Sequence, residues 1–149
     1  MAKISEKFIV YTDGGARGNP GPAAVGVVIQ DAEGKVIKSF GESLGIATNN
    51  EAEYRAVARA LEKIKALIGG ARAHEARVEM RMDSELVARQ LTGQYKIEEE
   101  RLFPLFIKIW NLKLEFNNVQ FHHIRREQNR DADRLVNEAL DREQMKLFS

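Results

Sequence analysis

At 149 residues, with 44% hydrophobic and 30% charged side chains, the chain has the composition of one globular domain able to bury a core of its own. It contains no cysteine, which excludes disulfides, thiolate metal sites and thiol redox chemistry. A net charge of +1 singles out no polyanion, so any nucleic-acid binding has to come from a local basic face or from bound cations. No signal peptide and no bilayer-spanning apolar run is visible, and a cytoplasmic location without membrane association is expected.

The first predicted strand, Phe8 to Asp13, is β-prone with apolar residues at both parities, which suits a central strand covered on both faces. It ends in a carboxylate that shares a face with Ile9 and Tyr11. A glycine-rich turn, Gly14 to Gly21, follows. Its spacing resembles a dinucleotide loop, but Pro20 and Pro22 stand where a helix would have to open, and that reading fails. Ala24–Gln30 and Lys35–Gly41 are the next two strands, joined by a turn at Asp31–Gly34. Connections this short favour an antiparallel meander.

Thr48–Asn49–Asn50 is a cluster of capping residues opening a helix through about Ile68, with Val57, Leu61, Ile64 and Ile68 as its apolar stripe. Glu53 falls on that inward face and Glu51 does not. Gly69–Gly70 ends the helix. A fourth strand spans Arg77–Met82, followed by Asp83–Ser84 as the cap of a short helix from Glu85 to about Leu91. A longer helix is predicted from near Glu98 to Phe116, then a fifth strand over Val119–Ile124. The last helix, roughly Arg130 to Lys146, buries Ala132, Leu135, Val136, Ala139 and Leu140. Asp131 and Asp133 flank its stripe almost symmetrically, so periodicity does not choose between them. The order βββαβααβα predicts a mixed five-stranded sheet in an α/β fold with helices on both faces, spanning residues 1–149 as one domain.

Asp13, Glu53, Asp83 and one of the two late aspartates stand at element ends or first turns. If they converge, they cannot all ionise at neutral pH without a cation. Oxygen donors favour Mg²⁺ or Mn²⁺ over zinc, and such a set suits two ions about 4 Å apart, an arrangement used for phosphoryl hydrolysis. His74, His122 and His123 are too scattered for a metal site.

Four segments together resemble type 1 ribonuclease H, in order and over nearly the whole chain: Ile9–Gly15 with Gly18–Gly21, Thr48–Glu53, Met82–Ser84, and Arg126–Asp133. The resemblance implies the ribonuclease H-like fold, and it selects Asp133 to join Asp13, Glu53 and Asp83 as catalytic metal ligands. It also implies two Mg²⁺ per site with Mn²⁺ as substitute. Asp13 would bridge the ions, Asp133 would complete the ion that activates water, and Glu53 with Asp83 would hold the ion facing the leaving 3′ oxygen. The implied reaction is endonucleolytic cleavage of the RNA strand of RNA–DNA hybrids, without sequence specificity, leaving 5′-phosphate and 3′-hydroxyl ends. Gly14, Gly15, Asn19, Thr48, Asn49 and Asn50 match substrate-binding positions in the minor groove, where the 2′-hydroxyl distinguishes RNA from DNA. The region after the fourth strand lacks the basic protrusion of larger members and carries Glu98–Glu99–Glu100 instead. The loop histidine before the last helix is also missing. Both departures resemble the compact archaeal-type branch, some members of which also cut duplex RNA. A monomer is expected.

Overall fold

The computed structural model describes residues 6–148. Strands β1 (Lys7–Ala16), β2 (Gly21–Gln30), β3 (Val36–Ala47), β4 (Arg77–Met82) and β5 (Asn118–His123) form one sheet in the order β3-β2-β1-β4-β5. The first three pair antiparallel, whereas β4 runs parallel to β1 and β5 parallel to β4. β1 is the central strand, as its two-faced apolar pattern predicts.

Helices α1 (Asn49–Ile68), α2 (Gly70–Glu75), α3 (Glu85–Leu91) and α4 (Phe103–Lys113) are followed, after β5, by α5 (Arg130–Leu147). The main core lies between the sheet and α1, where Phe8, Val10 and Val27 meet Tyr54, Val57, Leu61 and Ile64. Thr48 caps α1 through a reciprocal pair: its hydroxyl accepts from Glu51 N–H at 3.1 Å and the Glu51 carboxylate accepts from Thr48 N–H at 3.1 Å. Glu51 is thereby committed to the helix end, leaving Glu53 as the first-turn acid that is buried.

The other face of the sheet is covered by α5, which packs on β2, β3 and β1. Two glycines make that seat. Asp13 pairs with Gly26 on β2, and Gly26 pairs with Gly41 on β3. A Cβ at Gly26 would overlap the Ala132 carbonyl, and one at Gly41 would overlap the Leu135 carbonyl. The helix backbone therefore rests directly on bare strand, and its first turn lands beside Asp13.

Several boundaries differ from expectation. β1 runs through Gly14 and Gly15 to Ala16, because the ladder to β2 continues to Ala16↔Ala23 and shortens the turn. β3 likewise extends to Ala47, held by β2 as far as Gly21. The fourth helix starts at Phe103, not near Glu98, with Pro104 in its first turn and a 3-10 turn, Glu100–Leu102, before it. Proline lacks the N–H that a helix interior needs, so a helix carrying it opens there. The helix also stops at Lys113, short of Phe116, and leaves Trp110 49% exposed. The short helix α2 has no periodic stripe to announce it; it places Ala73 and Ala76 in the core.

Candidate active site

Parallel pairing of β1 with β4 ends at Thr12↔Met82, so Asp13, still paired with Gly26 on β2, and Asp83, just past the end of β4, stand side by side where the two strands part. That edge is where open α/β sheets carry their sites. Ser84, not Asp83, caps α3, its hydroxyl accepting from Val87 N–H at 3.2 Å, so the Asp83 carboxylate is not consumed as a cap. Glu53 arrives from the opposite layer. A Cβ at Gly14 would strike the Ala52 carbonyl and the Glu53 nitrogen, so only glycine lets the first turn of α1 press against the end of β1.

The result is a compact acidic group. One carboxylate oxygen each from Asp13, Glu53 and Asp83 lies within 4.8 Å of the others. Asp133 approaches from the first turn of α5 and its side chain meets that of Asp13. Asp131 points away, its side chain 76% exposed beside Arg134. The choice that periodicity left open is thus made by where α5 lands, with Ala132 seated on Gly26 and Asp133 turned towards Asp13.

Burial, followed by the charges of Asp83 and Asp133, pushes the Asp13 carboxyl from 3.8 up to about 7. Glu53 is pushed well above the ordinary carboxylate range, first by burial and then by the charges of Asp13 and Asp83. The Gly14 N–H bonded to Glu53 opposes that rise. One buried oxygen of Glu53, Oε2, has no hydrogen-bond partner. An orphaned acceptor among mutually repelling carboxylates fits a hard divalent cation, and the all-oxygen donor set fits Mg²⁺ or Mn²⁺. The acids open onto a cleft of about 470 Å³ that Gly14, Gly15, Asn49 and Arg126 also line.

Two residues in this region had no role assigned from the sequence. Asn129 stands at the start of α5 but makes no capping bond with its side chain. Its amide donates instead to the Thr12 carbonyl at 2.9 Å and to Asp83 Oδ2 at 3.3 Å, tying the last helix to both acidic strands. Arg126, in the 3-10 turn Arg126–Gln128, brings a cation to the cleft. The connection before the last helix reads as merely polar, and its composition does not mark either residue for the cleft.

The other expected substrate contacts form a neighbouring polar rim. Asn49 Oδ1 accepts from Ala16 N–H at 2.8 Å, and Asn49 N–H donates to Asn19 Oδ1 at 3.0 Å. Asn50 Nδ2 donates to Glu99 Oε1 at 2.9 Å. Thr48 is used as the cap of α1, while Gly14 and Gly15 form the floor of the cleft.

Residues 11–139 match the sequence family described as Reverse transcriptase-like. Ribonuclease HI of Halobacterium salinarum is 40% identical over 88% of this chain and 63% of its own length. A bifunctional protein of Mycobacterium tuberculosis is 38% identical over 91% of this chain and 36% of its own length. The chain therefore spans less than two thirds of these two relatives. Among solved structures, LC11-RNase H1, isolated from compost and crystallised in complex with an RNA/DNA hybrid, is 49% identical with a TM-score of 0.86, covering 91% of this chain and 97% of that one. The chain belongs to the type 1 ribonuclease H family. RNase H1 of the halophilic archaeon, 40% identical with a TM-score of 0.83, is similar over 91% of this chain and 98% of its own. The mixed sheet is thus the ribonuclease H fold, in a form where α4 follows α3 through the short acidic segment Glu98–Glu100. No helix among the described residues is long and apolar enough to cross a membrane.

Proposed function

We propose that this chain is a divalent-metal-dependent endonuclease that hydrolyses the RNA strand of RNA–DNA hybrids without sequence specificity, leaving 5′-phosphate and 3′-hydroxyl ends. The observation that carries the reading is the convergence of Asp13, Glu53 and Asp83 within 4.8 Å, in surroundings that penalise the ionisation of Asp13 and Glu53. Asp13, Glu53, Asp83 and Asp133 are the residues that would hold the metal. When bound, Mg²⁺ (two ions per site, or Mn²⁺ in their place) supplies a water of lowered pKa and charge stabilisation at the phosphoryl oxygens.

The chain's own groups do the rest. Asp13 on β1 and Glu53 on α1 are buried, Asp83 follows directly on β4, and Asn129 ties the start of α5 to the end of β4, so the donor set is held in place at little reorganisation cost. Arg126 offers a guanidinium to the incoming phosphate and offsets the negative charge of the cleft towards a polyanion. Gly14 and Gly15 line the cleft without side chains to obstruct it, while Asn19, Thr48, Asn49 and Asn50 face the sugars of the minor groove. Such contacts position a duplex and carry no base information. Every acid comes from one copy of the chain, so a monomer suffices for the chemistry.

The test is cleavage of labelled hybrid, duplex RNA, duplex DNA and single-stranded RNA, each with Mg²⁺, Mn²⁺ or EDTA. Hybrid is expected to be cut internally with either metal and spared in EDTA, and duplex DNA to be spared throughout. Cleavage of duplex RNA would place the chain with the broader members of its branch. Binding of hybrid without cleavage in any metal would refute the reading.

A further inference from the structure

The intramolecular bonds of the three rim asparagines decide which end of each amide is left for a ligand. A backbone N–H only donates, so Asn49 must turn its oxygen to Ala16 and leave its Nδ2 free. Asn19 accepts from the Asn49 N–H and likewise leaves Nδ2 free. An ionised carboxylate only accepts, so Asn50 must give its Nδ2 to Glu99 and leave its oxygen free. Two donors and one acceptor therefore face outwards, and the acceptor owes its orientation to a residue of the acidic segment before α4.

The minor groove gives that difference a meaning. Its base edges present acceptors at A·T pairs and add only the guanine amino group at G·C pairs. An outward donor finds a partner in almost any duplex. An outward acceptor finds no donor at A·T pairs of DNA and only the guanine amino group at G·C pairs, whereas every ribose offers a 2′-hydroxyl that can donate, whatever the base. A polar group that a ligand desolvates without pairing discriminates against that ligand. We infer that Glu99 is a positioning residue for ribose recognition: by holding the Asn50 amide nitrogen it presents the Asn50 oxygen to a 2′-hydroxyl of the RNA strand. This rests on the hybrid-cleaving reading above. It also gives a use to a carboxylate whose charge, beside a polyanion, otherwise only weakens binding.

The experiment compares kcat/KM on a hybrid whose RNA strand is all-ribose with a series carrying a single 2′-deoxynucleotide at each position around the cut. Wild type, Asn50→Ala, Glu99→Ala, Glu99→Gln and Glu99→Lys are measured, with melting temperatures alongside. In wild type, one deoxy position outside the cut itself is expected to lower kcat/KM about 5-fold, the value of one hydrogen bond. Asn50→Ala and Glu99→Ala are each expected to shrink that penalty to within about 2-fold. Glu99→Gln is expected to keep only part of it, since an amide can accept from the Asn50 nitrogen but can equally donate to the Asn50 oxygen. Glu99→Lys loses it while tightening the binding of every duplex at low salt, which separates amide orientation from charge. The inference is overturned if the Asn50-dependent penalty survives Glu99→Ala and Glu99→Lys. It is also overturned if Glu99→Ala merely lowers the melting temperature and slows all substrates alike. A wild-type chain that does not cut the all-ribose hybrid would instead overturn the reading beneath it.

Discussion

Replacing Asp13 with Asn tests the electrostatics of the site apart from its chemistry. Burial and the charges of Asp83 and Asp133 raise the Asp13 carboxyl from 3.8 to about 7 in the folded, metal-free chain. A folded-state value above the unfolded one means that the neutral acid favours folding. That contribution is complete below about pH 4 and is lost as the pH climbs through about 7. Three units of displacement at 1.36 kcal/mol each set a ceiling of about 4 kcal/mol, and sharing of protons with Glu53 leaves about 2–3 kcal/mol. Asparagine keeps the shape and removes the ionisation. At about pH 8.5 in EDTA the variant is expected to melt roughly 5–10 °C above wild type, and at about pH 4 the two should converge. Saturating Mg²⁺ should narrow or reverse the gap, because only the intact site gains binding free energy from the metal. Hybrid cleavage should be abolished at every pH. Thermal melts at the two pH values, with and without metal, decide the matter. A variant less stable than wild type at high pH in EDTA, or an advantage that does not change with pH, would refute the reasoning.

Glu53→Gln is expected to lower turnover by about 100-fold or more, since it removes a metal ligand. Glu51→Gln should leave activity and stability near wild type, because glutamine can complete the same capping pair with Thr48. Single-turnover cleavage and thermal melts of both variants check this, and equal losses of turnover would sink it. Asp133→Asn should lose most turnover while still binding hybrid. Asp131→Asn should cost only a few tenths to about 1 kcal/mol of helix-end stability, its contact with Arg134 being too exposed to add much. A metal titration of cleavage rates separates the pair, and a dead Asp131→Asn would contradict the placement of α5. Asn129→Ala should destabilise by about 1–3 kcal/mol by depriving the Thr12 carbonyl and Asp83 of their donor. It should also weaken metal affinity, as read by calorimetry with Mn²⁺, and unchanged affinity would confine the residue to stability.

The sheet was legible because its strands carry local signals: β4 and α3 begin and end where their patterns say they do. Glu53 was legible from helical phase alone. Asp133 was not, because two acids placed symmetrically about Ala132 look alike until the partner surface is known. What settles it is Gly26 on a strand more than a hundred residues earlier, and a missing side chain leaves no periodic mark. The extent of β1 and β3 escaped for a similar reason: glycines read locally as turns, while the ladder to β2 holds them extended. Asn129 and Glu99 look like an ordinary helix start and an ordinary charged surface. Their bonds are made only across long sequence distances, to Thr12 and to Asn50.

The row Asp13–Gly26–Gly41, running straight across three strands, has a consequence for how such a site can drift. The Asp13 carboxylate and the two bare positions that receive α5 lie on one line of paired neighbours. A methyl group added at either glycine would lift the last helix by the thickness of that methyl and carry Asp133 away from Asp13, with every acid still present. Strands β2 and β3 contribute no acid to the cluster, yet two of their residues fix the spacing between Asp13 and Asp133. A survey of sequence change that watched only the acids would therefore miss the inactive descendants that arise from gaining one carbon where none had been.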